Sequence, residues 1–269
     1  MENLSAMPAL EIARNLGPGS DTGPARLLHV GPYRLRFATC REDLDAVFRL
    51  RFLVFNLELG EGLESAYANG LDTDEFDSVC DHIAVEHIPT GRIVGTYRLQ
   101  TGRVAARNLG FYSAREFDFT PYEPIRDSLV ELGRASIHRE HRSFEVLTLL
   151  WRGVAGYAKE RSARYLIGCC SLATQDPAEG HATHRQLQTF LADPHLTTLP
   201  RPGFCLPSES SQGHNNGSGR PPRLLRAYLS IGAKICGPPA IDRDFKTIDF
   251  LTLLDLEGIS GAARARFLE

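Results

Sequence analysis

A single α/β domain, with helices flanking a mixed and mostly antiparallel sheet, is predicted for this chain by three features of its 269 residues. Segments of period-two alternation recur, as strands require. Two long stretches carry apolar residues at helical spacing. The two patterns interleave in the order β-α-β-β-(α)-β-α-β-α-α-β-β, which favours one layered α/β unit over separate helical and strand domains.

Residues 1–28 mix Gly, Pro, Ser, Asn and Asp without periodicity and read as a mobile tail, which leaves 29–269 as the domain. "YRLRFATC" (33–40) alternates as a strand, and the helical stretch 41–60 puts Leu44, Val47, Phe48, Arg51, Val54 and Phe55 on one face. The acidic segment "LDTDEFDSVCDH" (71–82) then reads as a loop. "CDHIAVEH" (80–87) and "RIVGTYRLQT" (92–101) form a hairpin around Pro89–Gly91. Short helices and loops fill 103–128, and "SLVELGRASIH" (128–138) is a further strand. The clearest helix spans 143–162, with Ser143 as N-cap and Phe144, Leu147, Trp151, Val154 and Ala158 as its stripe. "RYLIGCCSL" (164–172) is apolar enough for a central strand. A helix over 177–192, a long Gly/Ser/Asn/Pro-rich loop at about 200–222, a helix from Pro221, two closing strands in 233–256 and a terminal helix complete the chain.

The net charge of −3 gives no basic signature for nucleic acid, and only three of thirty cationic residues are lysine. No apolar run is long enough to span a bilayer, and no basic-then-apolar leader opens the chain, so a cytoplasmic protein is expected. Six cysteines without a C-x-x-C pair read as reduced thiols, with Cys169 and Cys170 on opposite faces of their strand, and no metal site is expected from them. A Walker A motif, a G-x-G-x-x-G after a strand, a G-x-S-x-G elbow and an H-E-x-x-H are all missing.

Three constellations remain. The acidic segment fails as a calcium loop, because Phe76, Asp77 and Ile83 stand where that loop needs an acid, a glycine and a glutamate. Arg51 supplies a cation instead. A guanidinium on an apolar helix face demands a partner, and Asp74 or Asp77 is the nearest supply, with Phe76 as anchor. Asp72 and Glu75 read as solvated. The second constellation is "ELGR", where a bulge at Gly133 would turn Glu131 and Arg134 toward one site; Arg98, at a strand end, is a third member. The third is "HREHRSF" (138–144), which places Arg139 and Arg142 before a helix N-terminus suited to phosphate.

"RFLVF" (51–55), "DEFD" (74–77), "CDH" (80–82), "GTYRL" (95–99), "FYSAREFD" (111–118), "ELGR" (131–134), "LLWRGVAGYA" (149–158) and the segment 221–245 occur in order. Together they resemble the ornithine N-acyltransferase family, which is related to the acyl-homoserine lactone synthases and to the Gcn5-related acetyltransferase fold. The resemblance implies transfer of a fatty, often 3-hydroxy, acyl group from acyl carrier protein to the α-amine of ornithine, giving lyso-ornithine lipid. It places Arg51, Asp74, Asp77, Arg98, Glu131 and Arg134 on the family's polar cluster. The sequence departs from ordinary acetyltransferases: Arg142–Val146 lacks the glycines of their pyrophosphate loop. That argues for a carrier-protein donor, with Arg139 and Arg142 at its phosphopantetheine phosphate, and for no separate cofactor.

In this reading Glu131 is the base, backbone N–H groups near Gly133–Ala135 meet the oxyanion, and Asp74 or Asp77 holds ornithine's side-chain ammonium or orders Arg51. Arg98 or Arg134 meets its carboxylate. Phe111, Leu150 and Trp151 line the acyl channel, although the helical stripe alone makes Trp151 core. The amphipathic product suggests peripheral contact with the inner membrane. The alternatives are another acceptor (glycine, another amino acid, or S-adenosylmethionine) and a non-catalytic carrier-binding module.

Overall fold

The computed structural model of the protein describes residues 28–208, 221–261 and 264–265. The tail, the middle of the 200–222 loop and most of the terminal helix lie outside these residues. Nine strands form one sheet: β1 (Leu28–Val30), β2 (Tyr33–Phe37), β3 (Asp81–His87), β4 (Arg92–Thr101), β5 (Leu129–Ile137), β6 (Tyr165–Leu172), β7 (Lys234–Ile235), β8 (Ala240–Asp242) and β9 (Thr247–Asp255). Their order is β1-β2-β3-β4-β5-β6-β9-β7, with β8 also on β9. Every pair is antiparallel except β5 with β6.

Among the described residues, five α-helices with named bounds accompany the sheet: α1 (Arg41–Phe52), α2 (Gly102–Arg107), α3 (Phe144–Glu160), α4 (Pro177–Gln186) and α5 (Arg223–Ser230). α3 packs across β1 to β4, and α1 packs against β3, β4 and β5. The α3 core face follows from its spacing: Leu149, Leu150, Val154 and Tyr157 are buried against Leu35, Ile83, Val85 and Leu99. Each such side chain contributes about 1.5–3 kcal/mol. Ser143 caps α3, accepting from Val146 N–H at 3.4 Å, as expected. Phe144, by contrast, is 52% exposed, because it precedes the first turn that reaches the sheet.

Three further departures matter. β1, a three-residue strand, precedes the first expected one. α1 does not run regularly to residue 60: Leu53–Leu59 widens into a π-helical turn that ends at Gly60 in the left-handed region. The acidic segment is not a plain loop, since Glu75–Ser78 forms a 3₁₀ turn capped by Asp74.

The feature that positions the site is a split in the sheet. β5 pairs with β6 only over Leu129–Glu131 against Tyr165–Ile167. Beyond that point β6 continues on β9 alone, from Gly168 to Leu172. A Cβ on Gly168 would lie 2.3 Å from the Leu132 carbonyl oxygen, so the closest approach of the two diverging strands requires glycine there. The cleft between them opens beside the free edge of β5.

Candidate active site

Arg51 is fully buried on α1. Its Nε donates to Asp72 Oδ1 at 2.6 Å and its Nη1 to Asp77 Oδ1 at 2.7 Å. Arg98 on β4 donates to Asp74 Oδ1 at 2.6 Å and to Asp77 Oδ1 at 3.0 Å. Arg134 on β5 donates to Asp74 Oδ2 at 2.8 Å. Arg51, Arg98 and Arg134 thus neutralise Asp72, Asp74 and Asp77, leaving no net charge. The turn is built for this: Phe76 N–H donates to Asp74 Oδ1 and Asp74 N–H to Asp77 Oδ2, both at 2.9 Å, while the buried Phe76 ring anchors it. Burial alone would raise Asp77, but Arg51 and Arg98 outweigh it and hold the carboxyl well below the usual range. Asp74 is lowered likewise, by Arg98 and Arg134 against burial. His82, beside Asp77, is pushed down to about 4 by burial and is neutral.

The β4–β5 ladder carries the expected bulge, displaced by one residue. Arg98 pairs with Gly133 and Thr96 with Ser136, so Tyr97 alone faces Arg134 and Ala135. Arg134 itself takes φ +50°. A non-glycine residue there costs on the order of 1–3 kcal/mol. Its guanidinium offsets that through Asp74 and by lying over the Phe245 and Tyr112 rings, at 4.4 and 4.9 Å from their centroids. The bulge turns Glu131 and Arg134 into the same cavity. Glu131 accepts from the N–H groups of Tyr112 and Ser113, both at 2.8 Å. Burial raises its pKa, and these N–H groups oppose the rise.

That cavity, of about 230 Å³, fills the cleft from β5 to β9. Its β5 side presents Arg98, Glu131 and Arg134; its far side presents Glu61, Asp242 and Asp249. Glu61 follows Gly60 at the end of the π turn, where its N–H donates to the Phe55 carbonyl at 2.9 Å. Burial pushes Glu61 up to about 7, with Asp249 adding to the rise. Glu116 lies against Asp249; burial and then Asp249 raise it far above the ordinary range, and burial raises Asp249 too. Glu116, Cys169 and Asp249 each offer one ligand atom within 4.8 Å of the others, a grouping a metal ion could use. The Cys169 thiol, raised well above its usual value by burial and then by these acids, is protonated. A second, apolar cavity of about 50 Å³ adjoins the first, between Leu132, Leu166, Leu224, Tyr228 and Leu254.

Residues 50–152 match the model of an acetyltransferase (GNAT) domain. An L-ornithine N(alpha)-acyltransferase of Brucella abortus is 34% identical over 90% of this chain and 91% of its own length. This chain belongs to the L-ornithine N(alpha)-acyltransferase family. Among solved structures, FeeM, an N-acyl amino acid synthase from uncultured soil microbes, superposes with TM-score 0.51 at 12% identity, over 84% of this chain and 92% of FeeM. The acyl-homoserine lactone synthase LasI superposes with TM-score 0.50 at 11% identity, over 87% and 94%. Both likenesses concern the fold, which is the expected Gcn5-related one.

Within this family member, the residues singled out from sequence separate into three groups. Arg51, Asp74, Asp77, Arg98 and Arg134 do form one cluster, with Glu131 beside it. Asp72 corrects the reading of a solvated residue: it is fully buried on Arg51, because its N–H docks on the Phe48 carbonyl one turn before that arginine. Asp74 and Asp77 line neither cavity and are already neutralised: Asp77 holds Arg51 and Arg98, whereas Asp74 holds Arg98 and Arg134 and does not touch Arg51. Arg142 is exposed but engaged, with Glu58 at 2.6 Å and the Ile137 carbonyl at 3.1 Å. Arg139 is exposed beside Leu53, Val54 and Leu57. Phe111, Leu150 and Trp151 are core packing and line neither cavity; Trp151 stacks on Tyr228 at 5.7 Å. Sequence reasoning missed Glu61, Glu116 and Asp249. The available signal was an acid inside the otherwise apolar "TIDFLTLL" and another between two glycines.

Proposed function

We propose that this chain transfers a fatty, 3-hydroxylated acyl group from the thioester of acyl carrier protein to the α-amine of L-ornithine, giving lyso-ornithine lipid. Membership of the L-ornithine N(alpha)-acyltransferase family supports the acceptor, and one geometric observation carries the chemistry. An amino-acid-sized polar cavity and an apolar one meet where β5 leaves β6, beside the bulge at Arg134.

The α-amine attacks the thioester carbonyl directly. Holding the two in line contributes several kcal/mol. The C–N bond forms, the C–S bond breaks, and the phosphopantetheine thiol leaves with a proton. Glu131 is the base in this reading: it lines the cavity, and burial raises its carboxyl, which makes it a stronger base toward the α-ammonium proton. Backbone N–H groups of the bulge, along the edge of β5 that β6 has left, face the developing oxyanion. Arg134 or Arg98 orients the substrate carboxylate. No enzyme nucleophile is needed, and the protonated Cys169 is not one.

The acyl chain enters along Leu132, Leu224 and Tyr228 rather than along Trp151. The carrier docks on exposed Leu53, Leu57 and Phe144, with Arg139 meeting its acidic surface. The amphipathic product then passes to a membrane surface; no helix among the described residues is long and apolar enough to cross one. The test is reconstitution with 3-hydroxyacyl carrier protein and ornithine, followed by mass spectrometry. An Nα-acyl amide is expected. Consumption of acyl-coenzyme A in preference to the carrier, or no amide at all, would overturn the reading.

A further inference from the structure

The mechanism above leaves the far wall of the larger cavity unused. That wall is acidic and has no cation of its own. Glu61 and Asp249 on this wall, and Glu116 against Asp249, are 7%, 4% and 2% exposed, and none forms an ion pair among the described residues. Buried carboxyls in this condition cost stability unless a ligand or a proton compensates them.

A second observation, independent of the acids, points to a ligand. Gln100, 2% exposed and lining the same cavity, has no hydrogen-bond partner at either its amide oxygen or its amide nitrogen. Asp249 Oδ1 is likewise unpartnered. Buried side-chain polar atoms are nearly always satisfied, so orphans that share one cavity mark a place where something polar binds.

We propose that Asp249 and Glu61 form the subsite for the side-chain ammonium of a dibasic amino-acid acceptor, and so select ornithine over neutral amino acids of the same length. This deepens the acyltransfer reading and rests on it. The orientation follows from the chemistry: the α-amine must meet the thioester at the free edge of β5, so the side chain extends across the cavity toward β9. An ammonium carries three donors. Asp249 and Glu61 accept two, and the orphaned Gln100, beside Glu131 on the β4–β5 side of the same cavity, offers its amide to the amino-acid head.

Norvaline, which is ornithine without its side-chain amine, isolates the effect. Kinetics with 3-hydroxyacyl carrier protein should be compared for the wild type, Asp249→Asn and Glu61→Gln. In each variant kcat/KM for ornithine should fall ~10- to 100-fold, mostly through KM, and the ornithine-to-norvaline ratio should collapse by a similar factor. Proportional loss of both substrates would overturn the proposal, as would no loss of either. Ornithine binding measured by calorimetry without any donor separates the two ideas. Asp249-dependent binding by a protein that acylates nothing sinks the acyltransfer reading and spares the subsite. Turnover of ornithine by a wild type whose binding ignores Asp249 and Glu61 does the reverse. Stoichiometric zinc in the purified protein, lost in Asp249→Asn, would also overturn the subsite, because Glu116, Cys169 and Asp249 would then be its ligands.

Discussion

Two buried groups of acids in this domain have opposite characters. Asp72, Asp74 and Asp77 are matched one for one by Arg51, Arg98 and Arg134, and the pKa values of Asp74 and Asp77 lie below the ordinary range. Glu61, Glu116 and Asp249 have no such partners, and theirs lie above it. Burial is the largest influence on all five of these shifted groups, so the difference comes from the arginines. A paired cluster fixes geometry and has nothing left for a substrate. An unpaired one costs stability and keeps its charge for a ligand.

Breaking the paired side should give the largest effect. Arg51→Met leaves Asp72 and Asp77 without their principal cation, and should cost about 3–5 kcal/mol. Scanning calorimetry should show a midpoint lower by on the order of 10 °C. An unchanged midpoint with intact activity would reduce the cluster to replaceable packing. Glu131→Gln lies between the two groups. It should lower kcat by roughly 10²–10⁴-fold, and also destabilise modestly, because an amide cannot accept both the Tyr112 and Ser113 N–H groups. Full turnover in this variant removes Glu131 from the base role.

The pH dependence sharpens the contrast. Asp74 and Asp77 are depressed in the folded state, so their contribution is present above about 3.8 and is lost as pH falls below it. Glu61 is raised from 4.5 to about 7, so its contribution is full below 4.5 and is lost as pH climbs to about 7. The groups facing it are Asp242 and Asp249 on its own wall and Arg98 and Arg134 across the cavity. Glu61→Gln should therefore melt with the wild type at pH 4 and ~3–8 °C above it at pH 8. Coincident curves at both pH values would place Glu61 in ordinary solvent. The smallest effect is expected on the carrier face: Arg139→Ala should raise KM for acyl carrier protein several-fold, more so at low salt, without moving KM for ornithine. A change in ornithine KM alone would relocate Arg139 to the acceptor site.

How much of this was legible in the sequence follows the same division. A guanidinium between Phe48 and Phe55 on an apolar stripe requires acids; Asp77 is one of the two expected, while Asp72 and not Asp74 is the other. A glycine inside a strand requires a bulge or a close approach, and the bulge lies one residue on. The offset was not readable, since Arg134 is held at positive φ by Asp74, Tyr112 and Phe245, all distant in sequence. Asp72 was misjudged because nothing local separates it from Glu75, which is exposed. Trp151, Leu150 and Phe111 were assigned to an acyl channel by resemblance, whereas the helical stripe already marked Trp151 as core. The acidic wall is assembled from the end of the π turn, β8 and β9, with Glu116 against Asp249, and no spacing rule joins these. Only the oddity of Asp249 in an apolar strand was visible.

Thermal unfolding of Asp77→Asn and Asp249→Asn, each with and without saturating ornithine, tests the division most directly. Asp77→Asn should lose stability and keep the rise in midpoint that ornithine induces; Asp249→Asn should keep or gain stability and lose that rise. The reverse pattern, with ornithine stabilisation lost in Asp77→Asn and retained in Asp249→Asn, would contradict the account.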